Sequence, residues 1–413
     1  MKLLLLHSSY QQPGGEDVVF DQECELLQRA GHDVIVYRRD NWEAERYSGA
    51  RRLQLAKHAV WAADSHRDVV DLLRKHRPDV IHIHNTFMMI SPSVHWACRD
   101  AGVPVVQTLH NYRLCCPGAN FYRDDRVCEE CATHSLWRGI RHKCYRDSRA
   151  ASATVALMLA VHRSLGTWTQ TVTCYIALTE FARQKFIAEG LPPDRIAIKP
   201  NFVSSDPGRK EGTGDYAIFL GRLSPEKGVR TLLSAWKQLR VSIPLIIVGE
   251  GPLRREFERQ VLTGGLNGIS FLGRVSHEQA LGAVKGARFL VLPSECYENF
   301  PMSIAEAFAC GTPVICARLG AMQEIVADGR TGLHFVPGDP KDLAAKVEWV
   351  WNHPAELQEM STLARHEYES HYTAEMNYSM LMGIYGRVIA RVPLGRPLSS
   401  TTDRLITSDA PTR

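Results

Sequence analysis

Short apolar runs alternate with amphipathic stretches along the first half of the chain. The runs cover residues 2–6, 32–37, 80–84, 103–109 and 174–178. Between the first two runs, residues 18–30 place apolar side chains at helical spacing. Runs of this length suit buried strands, and their alternation with helices is typical of a parallel sheet covered on both faces. The first half is therefore predicted to be a doubly wound α/β domain that begins with a βαβ unit.

The second half repeats this pattern. Apolar runs lie at 216–221, 244–249, 269–273, 288–293 and 313–317, with helical patterns near 228–239 and 302–310. Residues 204–215 between the halves are polar and rich in glycine, as linkers are. We therefore predict two Rossmann-like domains, 1–203 and 204–375, that face a cleft. Residues 376–392 are predicted to form a helix that crosses back to the first domain, and 393–413 a disordered tail.

Composition narrows the class of protein. The 413 residues are 45% hydrophobic and 23% charged, which excludes fibrous and wholly disordered proteins. A net charge of +4 is too small to indicate a nucleic-acid partner. The chain contains no run of 18 apolar residues, and no cleavage site follows its four initial leucines. We expect a cytoplasmic protein with reduced cysteines.

Residues 112–172 are too long for an ordinary connection and are predicted to form an inserted substructure. They hold five of the eleven cysteines, among them a C-x11-C-x2-C-x12-C pattern formed by Cys116, Cys128, Cys131 and Cys144. Four thiolates around a CxxC pair suit a structural zinc site that folds an insertion without a core of its own. Cys115 can replace Cys116 as a ligand. Free thiols, or a disulfide in an oxidising compartment, are the alternatives.

One segment after a predicted strand carries two carboxylates. It reads SECYENFPMSIAEAFACGTPVI and follows the apolar run 288–293, at the sheet edge where open α/β proteins bind ligands. Pro301 suits the first turn of a helix, which leaves the N–H groups of Phe300, Met302 and Ser303 free to bind a ligand. Glu298 lies before this helix and Glu306 on it, so the two carboxylates can accept hydroxyls of a sugar and a ribose. A helix N-terminal charge and a solvated face are the alternative interpretation.

A second segment, GRLSPEKG at 221–228, places two cations directly after a strand. Gly221 allows a tight turn, while Arg222 and Lys227 suit a diphosphate. Two surface cations beside a helix are the alternative. The turn VGEGP at 248–252 lacks the GxGxxG spacing, which counts against a dinucleotide-binding dehydrogenase.

These two segments, in this order, resemble the retaining GT-B-fold glycosyltransferases of family 4. The motifs that carry the resemblance are Glu298-x7-Glu306 and the pair Arg222 and Lys227. TLHNYR, ALTEFAR, KPNFV and TGLHFVPGDP support it, and the likeness runs from about residue 1 to 390. It implies a GT-B fold and the transfer of a sugar from a UDP- or GDP-linked donor, without a catalytic metal.

The resemblance also implies roles for individual residues. Arg222 and Lys227 hold the diphosphate, Glu298 the sugar and Glu306 the ribose, while His110 steadies the transition state from the first domain. Donor-binding positions are Gly14, Gly15, Gly221, Gly249, Val275, Asn299, Phe300, Pro301, Met302 and Ser303. Asn299 stands where the family often has glycine. The asparagine keeps the backbone N–H donors of the loop, and we expect its side chain to alter sugar preference. A hydrogen-bonded strand-end histidine is the alternative for His110.

Two basic stretches bear on the acceptor. Residues 51–77 hold seven basic and three acidic residues, and 138–149 hold five basic residues and one acidic residue. A basic amphipathic face predicts contact with anionic lipid at the inner face of the cell membrane. We therefore expect a glycan or lipid-linked acceptor. Such acceptors are used in the synthesis of cell-surface polysaccharide or glycolipid. A solvated helix face is the alternative. Two other functions stay open: a GT-B sugar-nucleotide epimerase and a catalytically silent sugar-nucleotide-binding protein.

Overall fold

The apolar runs of the first half form a six-stranded parallel sheet. The computed structural model describes residues 1–11, 14–47, 49 and 52–391; the predicted disordered tail and residue 392 lie outside them. The first-half strands are β1 (Lys2–Ser9), β2 (Asp33–Asp40), β3 (Val80–Asn85), β4 (Val105–Thr108), β5 (Tyr122–Arg123), β6 (Arg126–Val127), β7 (Cys174–Ala177) and β8 (Ile196–Ile198). The sheet order is β2-β1-β3-β4-β7-β8, and β5 and β6 form a separate antiparallel hairpin.

Nine α-helices accompany these strands in the described part of the first half. They are α1 (Gly15–Arg29), α2 (Arg52–Val60), α3 (Ala63–His76), α4 (Ser93–Asp100), α5 (Glu130–Thr133), α6 (Trp137–Arg141), α7 (Arg149–Ser164), α8 (Thr167–Gln170) and α9 (Glu180–Ala188). Short 3-10 turns cover Asn41–Arg46 and Pro193–Arg195. Leu4 and Leu6 of β1 join one hydrophobic cluster, and Leu3 and Leu5 join another. A strand covered on both faces explains why the chain opens with an unbroken apolar run.

The second half forms an equivalent domain. Its strands are β9 (Ala217–Leu220), β10 (Leu245–Val248), β11 (Ile269–Gly273), β12 (Phe289–Leu292), β13 (Val314–Ala317) and β14 (Gly332–Phe335). All pairings are parallel, in the order β11-β10-β9-β12-β13-β14. The helices are α10 (Val229–Trp236), α11 (Arg254–Thr263), α12 (His277–Gly286), α13 (Met302–Ala309), α14 (Gly320–Ile325), α15 (Pro340–Asn352), α16 (Pro354–His371) and α17 (Ala374–Arg391), with a 3-10 turn at Pro225–Lys227. The prediction of two parallel-sheet α/β domains is confirmed.

Two strands of the main sheets, β8 and β14, were not predicted, and neither was the hairpin β5–β6. The two main-sheet strands are outer strands, of three and four residues, and each has only one paired neighbour. Strands as short as these give only three or four positions in which to read hydrophobic periodicity, so the periodicity is a weak signal for them.

The last helix, α17, packs on the sheet of the first domain. Its Leu381, Ile384, Tyr385 and Val388 share a hydrophobic cluster with residues of β1, β3, β4 and β7. The Tyr385 hydroxyl also lies 2.7 Å from Nδ1 of His82 on β3. The chain therefore crosses between its domains a second time at its C-terminal end.

The insertion between β4 and β7 does not stand apart from the domain. Its residues Tyr112, Phe121, Leu159 and Trp168 belong to the same hydrophobic cluster as Leu4 and Leu6. Among the described residues the insertion has no separate hydrophobic cluster, and the first-domain core covers the apolar faces of α7 and α8. No helix in the described ranges has the length and apolar content needed to cross a bilayer.

Candidate active site

The loop between β12 and α13 presents a helix N-terminus and a carboxylate. Pro301 is the N-cap and α13 begins at Met302, so Pro301 lies one residue before the first turn predicted for it. The first N–H groups of a helix have no partner within the helix, which makes Met302 and Ser303 donors for a ligand. On the same helix the Glu306 side chain is 12% exposed, and its burial raises its pKa.

Lys227 and Glu298 meet in this loop. Lys227 Nζ lies 2.5 Å from Glu298 Oε1, which also accepts a hydrogen bond of 2.7 Å from the Ser294 hydroxyl. Burial alone lowers the pKa of Lys227, but the adjacent Glu298 carboxylate raises it above its ordinary value. The ammonium group is therefore held charged at the carboxyl end of the sheet.

Three post-strand turns surround this pair. Gly249 has a φ of +136°, and a Cβ there would stand 1.9 Å from the Gly221 carbonyl oxygen, so the two turns pack backbone to backbone. Arg222 follows Gly221; its side chain is exposed and forms no ion pair with any residue in the described ranges. Val275, in the turn after β11, is half-buried against the domain core. Of the two predicted diphosphate cations, Arg222 is thus the one without an ion-pair partner in the described ranges, whereas Lys227 is paired with Glu298 and partly exposed.

The loop before α13 and the start of that helix touch the first domain at several points, among them a hydrogen bond of 2.7 Å from the Tyr297 hydroxyl to Glu129 Oε1. The Asn299 amide donates a hydrogen bond to the Leu109 carbonyl, one residue before His110, and the Tyr112 hydroxyl lies 3.4 Å from the Glu298 carbonyl oxygen. Gly15 opens α1, where an added Cβ would stand 3.7 Å from Cγ of Met302. Phe300 is buried and packs against Tyr372. The structure therefore places the Glu298 loop beside the strand end that carries His110 and beside the glycine turn at Gly14 and Gly15.

His110 stands at the first-domain side of this contact. Its Nε2 lies 2.9 Å from Nδ1 of His84 on β3. Burial, together with His84, lowers the pKa of His110 well below its usual value. His110 is therefore a neutral imidazole at neutral pH.

A small cavity opens to solvent beside His110. Asn111, Arg113 and Leu114 of the insertion line one side of it, with residues of β3, β4 and α7 among its other walls. Near its rim, the Asn111 amide donates to Glu16 Oε2 at 2.9 Å, whereas Glu16 Oε1 and Arg113 Nε are buried without a described partner. Burial raises the pKa of Glu16 to about 8. Unsatisfied buried donors and acceptors next to a cavity are typical of a polar ligand site.

Several residues of this region were missed by sequence reasoning. They are Ser294, Glu16, Arg113 and a buried group formed by Glu23, His82, His84 and Lys199. Two signals for the buried group existed. His82 and His84 alternate in an otherwise apolar strand, so they share one face, and Glu23 occupies an apolar position of the α1 pattern.

The four cysteines of the predicted zinc site lie in one neighbourhood. Burial first, and then the nearby thiols, raise the pKa of Cys131 to about 12 and that of Cys144 to about 11. All eleven cysteines are free. Among the described residues, however, only Glu23, His82 and His84 bring three possible ligand atoms within 4.8 Å of one another. The four thiols are near one another, but no three of their sulfur atoms lie within 4.8 Å of one another. The zinc site therefore stays a prediction.

The comparisons with known proteins agree with this architecture. Residues 14–201 match the family model "Glycosyl transferase 4-like domain", and residues 203–367 match "Glycosyl transferases group 1". An uncharacterized glycosyltransferase of Methanocaldococcus jannaschii is 35% identical over 37% of this chain and 43% of its own length. The D-rhamnosyltransferase WbpZ of Pseudomonas aeruginosa is 30% identical over 48% of this chain and 54% of its own. The matched segments thus span about half the length of these curated relatives.

A solved structure resembles nearly the whole chain. The Anabaena protein Alr3699/HepE in complex with UDP has a TM-score of 0.68 at 19% identity, covering 94% of this chain and 100% of that one. Two doubly wound domains with a polar cleft define the GT-B class of fold. The two family models together cover most of the residues in both domains. The chain belongs to the GT-B glycosyltransferases of family 4.

Proposed function

We propose that this protein transfers a sugar from a nucleoside diphospho-sugar to an acceptor hydroxyl, with retention of anomeric configuration. One observation carries the proposal: the Lys227–Glu298 pair, the start of α13 and the strand end before His110 meet at one place between the domains. The UDP complex of the similarly folded Anabaena protein supports a nucleotide donor. No second function has an observation of its own in its favour.

The cations of the second domain act on the leaving group. As the bond between C1 of the sugar and the phosphate oxygen breaks, negative charge develops on the diphosphate, where Arg222 and Lys227 stabilise it. A bond forms between C1 and the acceptor oxygen on the same face, and the acceptor proton passes to the departing phosphate. Donors aimed at developing charge are worth about 10²–10³ in rate in comparable sites.

The carboxylates orient the donor. Glu298, held by Lys227 and Ser294, accepts hydrogen bonds from hydroxyls of the sugar. The backbone N–H groups at the start of α13 face the polar edge of the same sugar. Glu306 accepts the ribose hydroxyls. The turns at Gly221, Gly249 and Val275 admit the nucleotide. His110 contacts the sugar from the opposite domain, where the transition state has oxocarbenium character.

The acceptor site is assigned to the cavity beside His110. Arg113 lines the cavity, and its Nε is a donor without a partner among the described residues. Glu16 is hydrogen-bonded to Asn111 on the cavity wall, and its free oxygen, Oε1, can donate a hydrogen bond when protonated and accept one when ionised. A site that can offer both a donor and an acceptor suits the hydroxyls of a glycan or of the carbohydrate part of a lipid-linked acceptor.

The first domain also carries a candidate membrane face. Helices α2 and α6 both pack on α7, and each of the three exposes one large apolar side chain: Leu53 at 78%, Trp137 at 65% and Leu157 at 55%. The basic residues of 138–149 lie among them. We propose that this face rests on anionic lipid. Binding to anionic but not to zwitterionic vesicles supports it, and a Trp137→Ser variant with unchanged vesicle binding contradicts it.

Lys227→Ala tests the transferase proposal. The purified protein is assayed against a panel of UDP- and GDP-sugars with oligosaccharide acceptors, after thermal-shift screening of the same donors. Wild type should release nucleoside diphosphate only when acceptor is present, and Lys227→Ala should lose at least about 10²-fold in kcat. Lys237→Ala, an exposed cation of the same domain, is the matched control.

The other classes of protein give different results in this assay. Conversion of the nucleotide-sugar to an isomer without acceptor indicates an epimerase, and tight donor binding without turnover indicates a silent binding protein. Turnover in Lys227→Ala equal to wild type contradicts the assignment of the diphosphate site. Proton NMR of the product anomer decides between retention and inversion.

We also propose that Cys116, Cys128, Cys131 and Cys144 hold a structural zinc ion in the first part of the insertion, between β4 and α7. Their shared neighbourhood and the chemistry of a four-thiol donor set support the proposal. Zinc bound there would tie the hairpin β5–β6 to the short helices α5 and α6, beside the wall of the acceptor cavity.

A further inference from the structure

A buried row of ionisable side chains leads inward from His110. His84 Nε2, on the far side of its ring from His110, lies 3.2 Å from Glu23 Oε1. Glu23 Oε2 in turn lies 3.0 Å from Lys199 Nζ, and both of these side chains are 1% exposed. Glu23 Oε1 also lies 3.0 Å from Nδ1 of His82. Isolated buried charges are costly, so a buried carboxylate needs charged or polar groups close to it. Lys199 supplies the counter-charge that keeps Glu23 ionised.

The row determines where each imidazole carries its proton. Burial lowers the pKa of His84 to about 3, so both His84 and His110 are neutral and carry one ring proton each. Glu23 is a carboxylate and can only accept. Glu23 Oε1 lies 3.2 Å from His84 Nε2, and neither atom has a well-aligned hydrogen-bond partner in the described ranges. A proton on Nε2 is favoured because a bare lone pair there would repel the carboxylate oxygen. Nδ1 of His84 is then the acceptor.

The same logic extends one step to His110. Its Nε2 faces the bare Nδ1 of His84 at 2.9 Å and therefore donates. The remaining lone pair of the ring is on Nδ1, which has no partner among the described residues. A neutral ring of this tautomer accepts one hydrogen bond from a ligand and has no proton left to give.

We propose that Glu23 and His84 are positioning residues that hold His110 in its Nε2–H tautomer, so that Nδ1 accepts a hydrogen bond from a sugar hydroxyl in the cleft. The logic is that of a histidine whose tautomer and ring orientation are set by a carboxylate behind it. The role of His110 in transfer rests on the proposed function above. Its tautomer does not, and the two are measured separately.

The tautomer is read by long-range proton–nitrogen NMR of protein labelled with ¹⁵N-histidine, with the His110 signals assigned from their loss in His110→Gln. Wild type should show a protonated Nε2 and a bare Nδ1 on His110. His84→Phe keeps the ring volume but removes both nitrogens, and it should produce a mixture of tautomers. His84→Asn keeps an acceptor oxygen close to the former Nδ1 and should restore the wild-type pattern. His95→Phe, another buried histidine, is the control for lost stability.

Kinetics test the consequence for transfer. Removing a partner that orients a functional histidine typically costs about 10–100-fold. His84→Phe should therefore lower kcat by about that factor with the donor KM unchanged, and His84→Asn should recover most of it. The double variant Glu23→Gln with Lys199→Met removes the carboxylate without leaving a buried charge unpaired, and it should match His84→Phe.

Each outcome is decisive. A proton on Nδ1 of wild-type His110, or a His84→Phe variant with wild-type tautomer and kcat, overturns the proposal. A changed tautomer with unchanged kcat overturns its functional half. If the wild type turns over no nucleotide-sugar, the proposed function fails, and the NMR result still decides whether Glu23 and His84 set the tautomer.

Discussion

Asn299 offers a sharp test of how the two domains are joined at the site. Its amide donates to the Leu109 carbonyl, 190 residues earlier in the chain, and both residues are buried. Asn299→Ala removes this bond and leaves a buried carbonyl without its donor. Such an orphaned group costs about 1–3 kcal/mol. If that cost falls on the closed arrangement of the domains, the population able to react drops by about 5- to 150-fold.

The expected signature is a loss in turnover rather than in nucleotide affinity. Arg222, Lys227 and Glu306 all belong to the second domain, so nucleoside diphosphate should bind Asn299→Ala as it binds wild type in calorimetry. Turnover at saturating donor should fall by the factor above. Asn299→Asp should be at least as impaired, because a carboxylate cannot donate to a carbonyl.

Asn267→Ala, an exposed asparagine of the same domain, should change neither quantity. Two results refute the reasoning. Wild-type turnover in Asn299→Asp shows that the bond to Leu109 is dispensable. An equal loss of nucleotide affinity in Asn299→Ala shows that Asn299 acts within the donor pocket instead of across the cleft.

Three further predictions follow from the same structure. The raised pKa of Glu16, about 8, means that folding favours its protonated form, so the stability it contributes is lost as pH rises from about 4.5 to 8. Urea denaturation at pH 5 and pH 8 should show this loss in wild type and in Glu25→Gln, a control at an exposed site. The loss should be absent in Glu16→Gln. Gly249→Ala should lower Tm strongly, because the added Cβ would meet the Gly221 carbonyl oxygen. Gly282→Ala, inside α12, should be neutral or stabilising by up to about 1 kcal/mol. Equal Tm values for the two variants contradict the packing argument. Protein purified without added metal should contain about one zinc per chain, lost when the CxxC pair is changed to serine; less than about a tenth of an equivalent, with freely titrating thiols, removes the zinc site.

Much of the fold and part of the site could be predicted. The apolar runs located ten of the twelve strands in the two main sheets, and the residues after β9 and β12 were recognised by type and order. The outer strands β8 and β14 were missed because strands of three and four residues carry little periodic signal. The sequence did not reveal that α7 and α8 bury their apolar faces in the first-domain core, because those core residues are distant in sequence.

The buried polar groups mark the limit of such prediction. Glu23 and Lys199 are 176 residues apart, and nothing in their local spacing relates them. The same holds for Glu16 and Arg113, which become significant only as unsatisfied atoms beside a cavity. A polar residue in an apolar pattern shows that something must satisfy it, but its partner is found only when the elements are packed.

By itself, the sequence determined the order of strands and helices, the division into two domains and the chemical types gathered at the strand ends, because periodicity and post-strand position are local properties of the chain. Tertiary structure alone decided that the Glu298 loop lies against Leu109, and that His110 has His84 behind it. These contacts depend on how two sheets and their loops are placed relative to each other. That placement is set by the summed packing of the whole molecule, which local spacing does not encode.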